Sequence, residues 1–223
     1  MLLSYGALLA APFIAVFLLL SFWKNSTENY YSEIMKNDLT EGRMAFEKQL
    51  DIMCAGAFSV SNDSDLKWVY FLDGLKDGDN NIAALIRCND MLRQTFADSE
   101  HYQNYSVIMK NELIFRKSGM VVGDKFFYDN YCTYQNTDFE TWRKQSFEAD
   151  TWQLFPLEEI DTGEETLQAM TFSYPVRNYI QQEQEANAVV QFLLSKENLE
   201  QMFGQMLSRQ GGILIYDAED RLL

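Results

Sequence analysis

The sequence predicts an α+β protein in which a long N-terminal helix precedes a domain built on an antiparallel β-sheet. Residues 1–23 contain no charged side chain. Apolar residues then recur at helical spacing, without a proline, as far as Ala57. Beyond His101 the apolar residues change to a period of two, which is typical of β-strands.

The first element, residues 1–23, is predicted to be a transmembrane helix. A helix of this length reaches roughly 34 Å, against about 30 Å for the hydrocarbon core of a bilayer. Tyr5 and Trp23 lie near its ends, where aromatic side chains favour the membrane interfaces. A cleaved signal peptide is the alternative, but no Lys or Arg precedes the apolar core and no small-residue cleavage site follows it. We therefore expect an uncleaved anchor in the lipid bilayer.

The second element, residues 24–58, is predicted to continue the span as a stalk helix. Its apolar and small residues recur at spacings of three and four, which places them on one side of a helix. These residues are Met35, Leu39, Gly42, Phe46, Leu50, Met53 and Ala57. The alternative is an ordinary amphipathic core helix that follows a short linker. A continuous helix would couple the next domain mechanically to the membrane.

Composition restricts the possible partners. All 18 basic and 33 acidic side chains follow the predicted span, and together they give a net charge of −15. Such a surface repels nucleic acid, so we expect no nucleic-acid contact by this segment. The three cysteines have unrelated spacings, which predicts buried free thiols rather than a disulfide framework or a metal motif. Positive charge after the span, including Lys24, would alone place the domain inside, although long domains are translocated largely regardless of charge.

Short elements follow the stalk. A helix or strand is expected after Asp63 or Ser64, and a second helix from Asp79 or Asn80 to about residue 98. Four strands are predicted, at residues 105–109, 113–116, 166–176 and 188–194, and the first two form a hairpin. Helices are predicted to begin near Asp138 and to span 196–207. Residues 126–156 otherwise appear irregular, and residues 213–216 are predicted to be a strand in an unfinished hairpin, so the natural chain is expected to continue.

No catalytic arrangement is visible in the sequence. His101 is the only histidine, which leaves no basis for a histidine triad or a paired-histidine zinc site. The pairs at 158–159 and 164–165, which are all glutamates, are interpreted as solvated loops. We expect no enzymatic activity, no cofactor and no metal site.

The order of these elements carries a family resemblance. Its parts are Leu2, Leu3, Ser4 and Tyr5 with Pro12 in the span, the stalk, the 105–116 hairpin, an aromatic segment with Trp142, a strand ending at Tyr174 and Pro175, a strand and helix over 189–207, and the acidic turn after Tyr216. Together they resemble the extracellular double Cache region of bacterial membrane receptors. The likeness is greatest to the membrane-anchored AraC-type transcription regulators and related histidine kinases of Gram-positive bacteria.

The resemblance implies a PAS-like (Cache) sensor domain over residues 59–208 and the first strand and turn of a second Cache module over 209–223. In such domains the stalk helix packs on one face of a twisted antiparallel sheet, and ligands bind against the other face. Carried onto this chain, the ligand-binding residues are Tyr128, Tyr131, Trp142, Arg143, Trp152 and Tyr174, and Phe127 also belongs to the expected lining. Arg143 would hold an anionic or hydroxyl-rich group. The alternative is that these aromatic residues simply fill the core.

The implied function is the extracytoplasmic sensor portion of a transmembrane receptor in the bacterial cytoplasmic membrane. It would bind a small molecule or an extracellular binding protein and signal through the stalk to an AraC-type DNA-binding output domain. A homodimer is expected, in which the stalk stripe serves either the dimer or the domain core and Gly42 allows close approach. The alternatives are the sensor of a histidine kinase and a membrane-tethered binding module without signalling output.

Overall fold

The computed structural model describes residues 2–69, 78–96, 104–177, 186–207, 212–216 and 222, with side chains in the first helix described from Val16 onwards. The helices are α1 (Leu2–Asn62), α2 (Ser64–Val69), α3 (Gly78–Phe96), α4 (Asp124–Tyr131), α5 (Phe139–Glu148), α6 (Lys196–Met202) and α7 (Gly204–Leu207). The strands are β1 (Tyr105–Met109), β2 (Leu113–Arg116), β3 (Gly119–Val122), β4 (Thr133–Tyr134), β5 (Gln153–Asp161), β6 (Thr166–Val176) and β7 (Ala188–Ser195). This confirms the predicted α+β class with its long N-terminal helix.

Helix α1 is one continuous element of 61 residues, so the predicted span and stalk are not separated by a linker. It ends at Asn62, and α2 follows directly. The Asp63 carboxylate accepts a hydrogen bond from the backbone N–H of Leu66 at 2.9 Å, which confirms Asp63 as a helix start. Helix α3 begins at Gly78, ahead of the predicted start at Asp79 or Asn80. His101 lies outside the described residues.

The predicted transmembrane helix, residues 1–23, coincides with the start of α1. Its first 15 side chains lie outside the described residues. From Val16 to the end of the predicted span, the large apolar side chains Phe17, Leu18, Leu19, Leu20, Phe22 and Trp23 are exposed. In the part of the chain that the structure describes, no helix is both long enough and apolar enough to cross a membrane.

The sheet has seven antiparallel strands in the order β3-β2-β1-β7-β6-β5-β4. The β1–β2 hairpin has the predicted bounds, and β6 and β7 occupy the other two predicted strands. Strands β3, β4 and β5 were not predicted. In particular, β5 contains Glu158 and Glu159, so the prediction of a solvated loop there is wrong.

One face of the sheet is covered by α1, α2, α3 and α6. Side chains from alternate positions of β1, β6 and β7 meet the distal third of α1, where Met53, Ala57 and Val60 are fully buried. Ring packing joins the layers, with Phe192 of β7 5.3 Å from Phe96 of α3 between centroids. The core therefore includes the end of the stalk helix as one of its layers.

Helices α4 and α5 cover the opposite face. There the intervening positions of the same strands, such as Ile108 and Val189, pack against Phe127, Trp142 and neighbouring side chains. Strand β1 is consequently buried on both faces along its whole length. A sheet covered on both sides in this way can transmit a displacement from one face to the other.

Gly42 lets α1 approach the C-terminal helices closely. A Cβ atom at this position would lie 2.2 Å from Cδ1 of the buried Phe203 ring. Phe203 itself interrupts the predicted helix 196–207, which forms as α6 and α7. Gly42 was predicted to allow close approach between two stalks, but in the structure its free side is occupied by Phe203 of the same chain. That prediction is corrected.

The predicted strand at residues 213–216 does not form. Residues 212–215 have no regular secondary structure, and Tyr216 makes only an isolated antiparallel bridge with Leu222. Ile213 and Ile215 nevertheless pack against the core on the α1 side of the sheet. The turn that would connect the two halves of this hairpin lies outside the described residues.

We predict that Gly42→Ala destabilises the fold. Alanine is favoured over glycine in a helix by about 1 kcal/mol. The added Cβ would lie only 2.2 Å from the Phe203 ring, which puts the overpacking cost near the upper end of a range of about 1–3 kcal/mol. Chemical denaturation should therefore show a net loss of free energy of unfolding. Gly204→Ala is the control, because nothing lies within 4 Å of its Cβ position and its stability should be unchanged or slightly raised. Equal stability of Gly42→Ala and the native chain would contradict the close approach.

Candidate ligand site

Helices α4 and α5 are positioned by local signals at their starts. Gly123, at φ 94°, redirects the chain from β3 into α4. Asp138 caps α5 by accepting hydrogen bonds from the backbone N–H of Thr141 at 2.9 Å and from its hydroxyl at 3.0 Å. These hydrogen bonds hold the pKa of the Asp138 carboxyl below its usual value. The predicted helix start at Asp138 is confirmed.

The inner sides of α4 and α5 form an aromatic cluster against the sheet. The Trp142 ring lies 5.4 Å from Tyr128 and 6.2 Å from Phe127 between centroids, and Tyr134 stacks on Tyr128 at 6.3 Å. Tyr128 and Trp142 are almost completely buried, at 6% and 2% exposure. The Tyr128 hydroxyl donates to the carbonyl oxygen of Thr137. Most of this cluster is therefore packed core, as the alternative interpretation of these residues expects.

The structure divides the six predicted ligand-binding residues between the two faces. Tyr128, Tyr131, Trp142 and Arg143 lie together on α4 and α5. Tyr174 packs against the core on the α1 side instead. Trp152 is 43% exposed and stacks on Phe172, which belongs to that same core, at 5.6 Å. The six side chains do not converge on one cavity, because strand alternation sends Tyr174 to the face opposite α4 and α5.

Arg143 links the two helices rather than standing free. Its Nε donates to a carboxylate oxygen of Asp124 at 2.6 Å, and its guanidinium group lies 5.2 Å from the centre of the Phe147 ring. Arg143 is partly buried and Asp124 is more so, which strengthens their attraction relative to a fully exposed pair. The positive charge of Arg143 is therefore already neutralised within the fold.

A cavity of about 460 Å³ lies beside α4. Phe127, Tyr131 and Cys132 line it from the helix, and Ser106 and Leu193 line it from the sheet. The guanidinium group of Arg116 stacks on the Tyr131 ring at 4.2 Å and pairs with Glu164 at 2.9 Å. Positively and negatively charged side chains, such as Arg116 and Glu164, therefore both line this cavity.

The turn between β5 and β6 closes one side of that cavity. Gly163, at φ 76°, sits so near α4 that a Cβ atom would lie 2.1 Å from the carbonyl oxygen of Asn130. The Thr162 hydroxyl bonds within the turn to Glu165. The turn therefore depends on glycine both for its backbone angle and for its contact with α4.

A second cavity, of about 260 Å³, lies between α5 and β5. Tyr134, Trp142 and Phe155 line it, together with Glu158. Glu158 was not among the predicted site residues, because the segment was interpreted as a solvated loop. Pro156 beside it was the available signal, since proline within a strand is typical of a bulge that turns a side chain to the other face.

Polar side chains also cross the middle of the sheet under α5. Ser106, Gln191 and Ser173 are cross-strand neighbours on β1, β7 and β6, and all are buried. The Gln191 amide donates to the Ser146 hydroxyl of α5 at 2.9 Å. Within the described residues, Gln191 Oε1, Ser173 Oγ and Trp142 Nε1 have no hydrogen-bond partner. Buried polar atoms in this state favour binding of a water molecule or a ligand.

Burial keeps the Cys132 thiol and the Tyr134 hydroxyl of this layer neutral. It raises the pKa of the Cys132 thiol to about 12 and that of Tyr134 well above its ordinary value. The Tyr134 hydroxyl shares a hydrogen bond of 2.9 Å with that of Thr171. Among the residues that the structure describes, no group of three His, Cys, Asp or Glu side chains could hold a metal ion.

Alkaline pH should destabilise the domain through its buried thiols. Burial also raises the pKa of Cys88 to about 12, whereas both thiols ionise near 9.0 in the unfolded chain. Because the folded pKa is raised, the stabilisation is complete below pH 9.0 and is lost as the pH rises towards the folded value. The expected loss approaches about 1.4 kcal/mol per pH unit for each thiol.

Denaturant titrations from about pH 8 to pH 10 measure this loss. Cys132→Ala should remove the contribution of one thiol to the fall of the free energy of unfolding with pH. Replacing the half-buried Cys54 should reduce that fall less. A free energy of unfolding that is independent of pH in this range would contradict the burial of the two thiols.

Comparisons with known proteins give structural likeness but no sequence match. No protein-family model matches the chain, and no curated protein sequence matches it. Among experimental structures, the chain is similar to the periplasmic sensory domain of the Campylobacter jejuni chemoreceptor Tlp1, with a TM-score of 0.47 and 10% sequence identity. The superposition covers 82% of this chain and 64% of that structure, so the chain spans less than two thirds of its length.

Proposed function

We propose that the chain is the extracytoplasmic sensor portion of a transmembrane signalling receptor. One observation carries the proposal: α1 is a single helix that begins in the apolar N-terminal segment and ends inside the domain core. At 1.5 Å per residue its 61 residues extend roughly 90 Å. A helix built into a core at one end moves with that core, and this is what transmission along a stalk requires.

The anchor is the predicted transmembrane helix, residues 1–23. Its support is the absence of charge in this segment of the sequence and the exposure of the large apolar side chains from Val16 to Trp23. Exposed contiguous apolar surface of this kind favours a lipid or protein partner. The domain is proposed to lie outside the bacterial cytoplasmic membrane, on the family resemblance.

The proposed sensing region is the layer between the sheet and helices α4 and α5. Tyr128, Tyr131, Trp142 and Arg143 remain candidates there, whereas Trp152 and Tyr174 are removed because they lie with the α1-side core. A small molecule in this layer would be separated from α1 by the sheet alone. It would shift the equilibrium between two arrangements of the stalk. The size of that shift is limited by the difference between the ligand's binding free energies for the two arrangements.

The output is proposed to be an AraC-type DNA-binding domain beyond this segment, on the resemblance of element order. A histidine kinase output is the alternative within the same family likeness. The segment itself is proposed to bind and not to catalyse. A tethered binding module without output is the second alternative, and a ligand that binds without altering the stalk would favour it.

The proposed homodimer uses the membrane-proximal part of the stalk. Met35 and Leu39 are exposed, and Tyr31 lies one turn before Met35 on the same side. Farther along, Phe46 and Met53 belong to the domain core and are unavailable to a partner. The predicted stripe therefore divides near Gly42, with its first part open to association and its second part built into the domain.

The proposed topology is tested with single cysteines at Lys117 and Glu159, both exposed, in a chain whose three native cysteines are replaced. A membrane-impermeant thiol reagent should label both positions on intact cells, and the protein should stay in the membrane after an alkaline wash. Labelling that appears only after permeabilisation would contradict an extracytoplasmic domain.

The proposed dimer is tested by disulfide cross-linking of single cysteines along α1. Positions Tyr31, Met35 and Leu39 should cross-link efficiently because they share one side of the helix. Glu33 and Asn37 point to the other side and serve as controls. Equal cross-linking at all five positions, or none, would count against a parallel stalk dimer.

A further inference from the structure

Strand β5 contains a bulge that reverses the direction of one side chain. Phe155 pairs with Thr171 of β6, and Glu158 pairs with Ala169. The two β5 residues are three positions apart, whereas their partners on β6 are two positions apart, so β5 contains one extra residue. Strict alternation would place Phe155 and Glu158 on opposite faces. The extra residue, next to Pro156, puts both on the face covered by α4 and α5.

Within the described residues, the Glu158 carboxylate has hydrogen-bond donors but no counter-ion. One oxygen accepts from the backbone N–H of Asn136 at 3.0 Å and the other from the Thr137 hydroxyl at 3.1 Å. Both donors are neutral, and none of the ion pairs in the described part of the chain includes Glu158. A carboxylate accepts about four hydrogen bonds, so acceptor positions remain.

The rest of the cavity favours positive charge. Tyr134, Trp142 and Phe155 provide aromatic rings in its lining, and no lysine or arginine is among its lining residues. Aromatic faces attract cations electrostatically. The net charge of −15 also raises the local concentration of small cations around the protein.

We propose that this cavity binds a small organic cation, an ammonium compound whose charge pairs with Glu158 and whose body packs against the aromatic lining. The proposal rests on the sensor function and names the ligand class of its site. A volume of about 260 Å³ restricts the ligand to a small molecule. From the sequence, an anionic or hydroxyl-rich group is expected at Arg143, but Arg143 is paired with Asp124. An anion in this cavity would instead meet the negative charge of Glu158.

The test uses the full chain in detergent and isothermal titration with two probes. Choline carries the positive charge, and its carbon analogue has the same shape with carbon in place of the ammonium nitrogen. Choline should bind at least about tenfold more tightly than the neutral analogue. Equal affinity for both, or no binding of choline at millimolar concentration, would overturn the proposal.

Paired variants locate the site. Glu158→Gln should weaken choline binding about 10- to 100-fold. Glu159→Gln removes the same charge from the exposed neighbouring position on the other face and should leave binding unchanged. Phe155→Leu keeps the carboxylate and should weaken binding about 3- to 10-fold. Melting temperatures of the variants separate lost binding from lost folding, and undiminished binding by a folded Glu158→Gln chain would sink the assignment.

Stalk cross-linking distinguishes this proposal from the sensor function. Choline binding that depends on Glu158 but leaves cross-linking at Met35 unchanged supports the cation site and counts against signalling. A neutral or anionic molecule that binds independently of Glu158 and alters the cross-linking overturns the cation site and supports the sensor.

Discussion

The packing of α1 against the sheet is the constraint on which the other features depend. The helix is continuous to Asn62, and its buried residues Met53, Ala57 and Val60 supply a layer that the strands could not complete alone. Gly42 sets how closely α1 approaches α6 and α7, because a residue with a Cβ atom at this position would collide with the Phe203 ring. Removing the end of α1 would expose the apolar side of β1, β6 and β7, so the stalk and the domain cannot be treated as independent folding units.

The same three strands connect the α1 side to the candidate ligand layer. Phe192 faces the helical core, while its neighbour Gln191 faces α5 and bonds to Ser146. A shift of α5 that displaces the backbone at Gln191 would move the strand, and Phe192 with it. Close packing resists continuous deformation, so such a shift favours a few discrete arrangements. Ser173 Oγ, a buried polar atom with no hydrogen-bond partner among the described residues, lies in the layer where a bound molecule would change the balance between these arrangements.

The sequence predicted elements whose periodicity is local and uninterrupted. The stalk helix agrees with the structure because its apolar residues recur at regular helical spacing. The β1–β2 hairpin agrees because two short apolar runs flank a polar turn. Strand β5 was missed because Pro156 and two glutamates resemble a loop, and only pairing with β6 and the bulge make a strand there. Tyr174 was placed in the ligand site by its position in the chain, whereas its face is decided by its register in β6. The role of Gly42 depends on Phe203, more than 150 residues away in sequence, a contact that helical spacing cannot show.

The contrast between Arg143 and Glu158 explains why charged residues alone are a poor guide to ligand chemistry. In the sequence Arg143 stands beside Trp142 and suggests recognition of an anion. In the fold its charge is neutralised by Asp124, so an anion would compete with an existing ion pair. The hydrogen-bond donors to Glu158 in the described part of the chain are neutral, and an arriving cation would gain attraction without breaking an ion pair. In the proposed site, the ligand class follows from the charge that has no ionic partner among the described residues. In this cavity that charge is the negative one.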